Sequence, residues 1–200
     1  LEKLREELQI QLPVVGIKEL NEYQIKVIDL LKSGKNFVSA GEKGCGKSTA
    51  IIVSLLQKIN EPGEGSPRAI VICANDEAAR EMHATVASIC RRLDITVDLV
   101  NEKGNMIMQR NDIFNGTEIM IGTARRLYDI YIQSGFAVSQ MKLFILDDAN
   151  ELFKSGQKMR INRLAESLPK CQHIVFSTDL KDERIQDYLE EYVPIYTLLK

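Results

Sequence analysis

The chain has 200 residues, the length of one ordinary domain or at most two small ones. Its 26 Lys and Arg stand against 28 Asp and Glu, a net charge of −2. That balance excludes a histone-like polycation holding nucleic acid by bulk charge, though not a local basic groove. The composition is 44% hydrophobic, a globular value, and a chain of this size buries roughly 70% of its unfolded surface without disulfide staples.

In chain order, Leu1 to Leu8 reads as an amphipathic helix rather than a secretory signal, and the start at Leu1 instead of Met is consistent with a trimmed chain. Helical periodicity follows over 21–33, a strand over 36–40 and a helix over 47–59. The Pro- and Gly-rich stretch 60–67 is a surface loop. Beyond it the pattern reads strand 69–74, helix 76–92, strand 96–100, strand 118–121 and helix 124–134. Strand 142–146, helix 157–168, strand 173–177, helix 181–190 and strand 193–198 complete it. Several strands, such as Leu143-Phe144-Ile145-Leu146, are apolar throughout, as strands covered on both faces of a parallel sheet must be. Repeated strand–helix alternation predicts an α/β fold, a mostly parallel sheet with helices on both faces, in one domain over 1–200. No apolar run approaches the roughly 18 residues of a membrane span. Cys45, Cys73, Cys90 and Cys171 are scattered far from His83 and His173, which argues against a zinc cluster and for reduced thiols in a cytoplasmic protein.

Ligands of such sheets bind beyond the carboxyl ends of the strands, so chemistry is sought after each one. After strand 36–40 comes Gly41-Glu42-Lys43-Gly44-Cys45-Gly46-Lys47-Ser48-Thr49, which satisfies GxxxxGK[ST] between an apolar strand and a helix. Glycines let backbone N–H groups converge on phosphate oxygens at the helix N-terminus. Lys47 then reaches the β- and γ-phosphates and Ser48 places its hydroxyl on Mg²⁺. Asp147 and Asp148 follow strand 142–146, where Asp147 suits Mg²⁺ and Asp148 suits the attacking water. Helix capping by one of them is compatible with both roles.

The order of motifs resembles the first RecA-like domain of DEAD-box RNA helicases over nearly the whole chain. Gly16 to Gln24 matches the family's Q motif in spacing, and an amide at Gln24 suits an adenine edge. Gly41 to Ser48 aligns with AxTGxGKT, and Gly122-Thr123-Ala124-Arg125-Arg126-Leu127-Tyr128-Asp129 resembles the TPGR segment. Asp147-Asp148-Ala149-Asn150 stands where DEAD would be, and Phe176-Ser177-Thr178-Asp179 where FSAT would be. The resemblance implies a three-layer RecA-like phosphate-loop domain with ATP and Mg²⁺ as cofactors, RNA contacts through Thr123, Arg125 and Arg126, and catalytic roles for Lys47 and Asp148.

The departures shape the expectation. Asp148 replaces the family's Glu and is shorter by a methylene, roughly 1.5 Å. Asn150 and Asp179 exchange donor and acceptor relative to the family, which admits either a compensated bond from Asn150 to Asp179 or independent decay of both motifs. Asp76 stands where the family places an Arg, and Asn101-Glu102 where it has a Gly pair, so RNA binding is expected to be weak or altered. Ile17 replaces an aromatic that would stack on adenine. The resemblance also implies a second RecA-like domain, in cis or trans, that these residues do not contain. Two readings follow: an ATP-hydrolysing RNA-remodelling module that is slow in isolation, or a pseudo-helicase that binds nucleotide or RNA without turnover. A DNA-directed helicase fragment is a more distant reading, disfavoured by Gln24 at the Q-motif spacing.

Overall fold

The computed structural model describes residues 1–42 and 44–199; Lys43 of the phosphate loop lies outside the described residues. After α1 (Glu6–Val14) and α2 (Glu22–Lys32), strands and helices alternate. They run β1 (Phe37–Ser39), α3 (Lys47–Lys58), β2 (Ala69–Cys73), α4 (Asp76–Cys90), β3 (Val97–Val100), α5 (Met106–Asn115) and β4 (Ile119–Thr123). Then come α6 (Ala124–Tyr131), β5 (Leu143–Leu146), α7 (Ala149–Lys154), α8 (Lys158–Ser167), β6 (Gln172–Phe176), α9 (Glu183–Tyr192) and β7 (Thr197–Leu199).

The seven strands form one sheet in the order β3-β4-β2-β5-β6-β1-β7, with every neighbouring pair parallel. Alternation along β2 separates the two cores. Val71 and Cys73 face the layer of α1 to α4 with Leu12, Ile28, Leu55 and Val86, while Ile70 and Ile72 face Leu127, Leu152, Leu164 and Tyr188 of the other layer. Burying both faces is what demands the unbroken apolar runs of β2 and β5. Because all strands point one way, every post-strand loop opens on the same edge. The segments after β3, β4, β2, β5, β6 and β1 stand along it in that order, so residues distant in sequence meet there.

The α/β expectation holds, with local differences. α1 begins at Glu6 rather than Leu1 and buries Leu8 and Leu12. Residues 193–196 are not strand: Val193 closes α9, Pro194 has no N–H for a ladder, and β7 begins at Thr197. α5 and α7 were not legible from the periodicity. α5 buries only Ile113, and α7 is six residues long.

Candidate nucleotide and nucleic-acid site

Three elements assemble the phosphate loop. Gly44 and Gly46 take φ of 88° and 93°, left-handed values that favour glycine, and Gly46 hands the chain directly to α3. The start of α2 holds the loop from below. Asn21 and Gln24 form a capping box, each side chain accepting the other's backbone N–H at 2.9 Å. Their free amide groups then donate to the loop, Asn21 Nδ2 to the Cys45 carbonyl at 3.0 Å and Gln24 Nε2 to the Gly46 carbonyl at 3.2 Å. Gln24 is 6% exposed, so both ends of its amide are engaged within the protein, on the cap and on the loop. Tyr23 hydrogen-bonds Ser39 at 2.7 Å beside Gly41.

Lys47 bridges the loop to the end of β5. Its ammonium lies 3.0 Å from Asp147 Oδ1 and donates to Asp148 Oδ1. Burial opposes the charge on Lys47, but the two carboxylates together outweigh it and raise its pKa. Burial raises the pKa of Asp147, and Lys47 only partly offsets that. Asp147 Oδ1 is buried and, among the described residues, has no hydrogen-bond partner beyond its ionic contact with Lys47. That leaves a hard oxygen for a divalent cation or its water. The donor set fits Mg²⁺, which takes one or two protein oxygens with phosphate and water completing its shell.

Asp148 occupies the N-cap position of α7 in the left-handed region, at φ 57° and ψ 58°, and its side chain caps nothing. Such a conformation costs of order 1–3 kcal/mol, and Asp tolerates it better than most residues. Here it turns the carboxylate back onto Lys47. The hollow bounded by the phosphate loop, Asp148, Asn150 and Thr178 encloses about 560 Å³. Glu151 lines it too, a carboxylate that motif reading passed over although it directly follows Asn150.

Asn150 joins the ends of β5 and β6. Its Oδ1 accepts from Ser177 Oγ at 3.1 Å and from the Thr178 backbone N–H at 3.2 Å, and its Nδ2 donates to Glu151 at 3.2 Å. A backbone N–H can only donate, which fixes the amide's orientation. The bond from Asn150 to Asp179, one of the two alternatives the sequence admits, is therefore not the arrangement found. Asp179 instead accepts from the Lys181 backbone N–H, and the Asn150 oxygen receives the donors of the Ser177-Thr178 turn.

Farther along the edge stand the residues expected to meet RNA. Thr123 donates to the Glu102 carboxylate. Arg126 donates to the carbonyl oxygens of Gly104 at 2.9 Å and Glu102 at 3.1 Å, and to Gln109 at 3.0 Å. Arg125 is exposed. Asp76 is neutralised by Lys103 at 3.0 Å and Arg80 at 3.3 Å. The segment after β3 thus folds over the residues after β4 and engages the Thr123 hydroxyl and part of the Arg126 guanidinium, while Arg125 stays exposed.

Residues 21–188 match the family model described as DEAD/DEAH box helicase. The chain belongs to the DEAD/DEAH box helicase family. It is 25% identical over 187 residues to the ATP-dependent RNA helicase eIF4A of Lodderomyces elongisporus, covering 92% of this chain and 47% of that protein. It is 27% identical over 173 residues to the ATP-dependent RNA helicase drs1 of Schizosaccharomyces pombe, covering 84% and 23%. This DEAD-box chain spans about half the length of the curated eIF4A relatives it matches. Among solved structures it superposes on a DEAD box protein from the hyperthermophile Methanococcus jannaschii with a TM-score of 0.90 and 21% identity, over 98% of this chain and 54% of that one. It superposes on S. cerevisiae Dbp5 bound to RNA and ADP BeF3 with a TM-score of 0.84 and 24% identity, over 98% and 50%. These likenesses establish the DEAD-box RecA-like fold.

Proposed function

We propose that this chain is the ATP-binding first half of an RNA-dependent ATPase of the DEAD-box type, slow in isolation and altered in its contact with RNA. The observation that carries the reading is Lys47, held between Asp147 and Asp148 at the junction of a phosphate loop and the β5 edge. Gly41, Gly44, Cys45, Gly46 and Thr49 shape the loop for the phosphates, and Lys47 exchanges its carboxylate contacts for β- and γ-phosphate oxygens. Ser48 and Asp147 would hold Mg²⁺, which when bound neutralises charge on the transferring phosphoryl group. Asp148 orients the attacking water, and the Asn150 bonds to Ser177 and Thr178 keep the β5 and β6 loops in register beside it. Gln24 links the start of α2 to the loop, and its proposed adenine contact requires it to give up one of the two bonds it makes there. A second RecA-like domain, in cis or trans, supplies the arginines that stabilise the transferring charge. Burial pushes the Cys90 thiol up to about 12 and the Cys171 thiol up to about 11, leaving both protonated and poorly nucleophilic.

A pseudo-helicase is the second reading, favoured by the occupation of Thr123 and Arg126 by the 102–104 segment. Steady-state ATPase rates with and without single-stranded RNA separate the two. RNA-stimulated turnover that disappears in Lys47→Ala supports the first reading. Equal background rates in both proteins would leave only the second.

A further inference from the structure

At the amino-terminal edge of the sheet, opposite the phosphate loop, lies a hollow of about 880 Å³, larger than the one at the loop itself. Four lysines from separate segments line it: Lys35 before β1, Lys58 at the end of α3, Lys142 before β5 and Lys170 before β6. No Asp or Glu is among the lining residues, and among the described residues none of the four lysines forms a salt bridge. The arrangement is held from inside by Gln172, which is 4% exposed. Its Oε1 accepts from Lys58 at 3.2 Å, and its Nε2 donates to the carbonyls of Lys35 at 2.7 Å and Leu31 at 3.2 Å. One buried amide thus fixes a lysine and the loop that carries another. Burial first, and then the charge of Lys142, push the Lys58 pKa down. On the wall, Tyr196 is 38% exposed and Ile195 84% exposed.

We propose that this hollow is an accessory site for single-stranded RNA, with phosphates on Lys58, Lys142 and Lys170 and a base against Tyr196. Unpaired ammonium groups beside an exposed aromatic ring take phosphates and bases together, whereas an acidic peptide uses the charge and leaves the ring idle. The site is separate from the nucleotide, since α3, about 18 Å long, runs from Lys47 at one edge to Lys58 at the other. The proposal rests on the reading that the chain handles RNA, and is independent of turnover.

Fluorescence anisotropy with a labelled oligouridylate tests it on the wild type, on Lys142→Glu/Lys170→Glu, on Tyr196→Ala and on Arg125→Glu, which changes the opposite edge. Lys142, Lys170 and Tyr196 are all solvent-accessible, and thermal unfolding verifies that each variant folds. The double variant should bind at least about tenfold more weakly, with the slope of log K against log salt reduced by about 0.7 for each phosphate no longer neutralised by a lysine. Tyr196→Ala should weaken binding with the slope unchanged. A double variant with wild-type affinity and slope overturns the site, and if Arg125→Glu alone abolishes binding, RNA handling stands while this site falls. A wild type that binds no RNA overturns both. Lysine-dependent binding of polyglutamate without binding of RNA would give the hollow to an acidic protein segment and overturn the assignment.

Discussion

Lys47 and Asp148 carry the most consequential pairing at the scale of single residues. The left-handed backbone at Asp148 points a short carboxylate at Lys47, and Glu would extend that reach by roughly 1.5 Å. A misplacement near 1 Å costs about 100-fold in rate, so Asp148→Glu should raise RNA-stimulated turnover by up to about 100-fold in a steady-state ATPase assay. Unchanged turnover would locate the limit elsewhere, for example in the proposed second domain. Asn150 teaches a different lesson about residue identity. Opposed substitutions at Asn150 and Asp179 suggested an exchanged hydrogen bond, yet the backbone N–H of Thr178 selects the Asn150 oxygen instead. Which amide face a neighbouring N–H meets is a tertiary fact, and no motif string contains it.

The segment after β3 is the element on which the proposed contact of this edge with RNA depends. Glu102 accepts from Thr123, and the carbonyls of Glu102 and Gly104 hold Arg126, so two of the three residues proposed to meet RNA are engaged within the protein. Glu102→Gly removes the carboxylate and frees the Thr123 hydroxyl, and should strengthen RNA binding by about tenfold, or about 1.4 kcal/mol. A filter-binding titration that finds equal affinity would show that the Glu102 carboxylate does not compete with RNA. The acidic substitution itself was legible in the sequence. Its hydrogen bond was not, because Glu102 and Thr123 meet only through the parallel pairing of β3 with β4. The phosphate loop and the buried strands were legible for the opposite reason: glycine spacing and two-sided burial are local demands. α5 escaped notice because Ile107, Met108 and Phe114 face solvent and leave no apolar stripe to read. Residues 193–196 misled by composition, since Val193, Ile195 and Tyr196 suit a strand while Pro194 interrupts it.

Across the whole molecule, seven parallel strands put the phosphate loop on one edge and leave a lysine-lined hollow on the other. The same burial that builds the sheet sets an acid limit on its stability. His173 on β6 packs 5.4 Å from the Phe144 ring, and burial pushes its pKa down to about 4. Its ordinary value is about 6.5, so the unfolded chain takes up the proton first as pH falls. Stability present above pH of about 6.5 is then lost progressively toward about 4, by about 3 kcal/mol in all. Chemical denaturation across that range should show the loss, and His173→Gln should flatten it; an identical acid limb in the variant would assign the titration to other groups. The central claim is that the edge built by β1 and β5 binds Mg·ATP through Lys47. Calorimetric titration of Mg·ATP into the wild type and into Lys47→Ala tests it most directly. One saturable site is expected in the wild type and an affinity at least about 100-fold weaker in the variant, about 2.7 kcal/mol. Equal affinities, or no binding by the folded wild type, would contradict it.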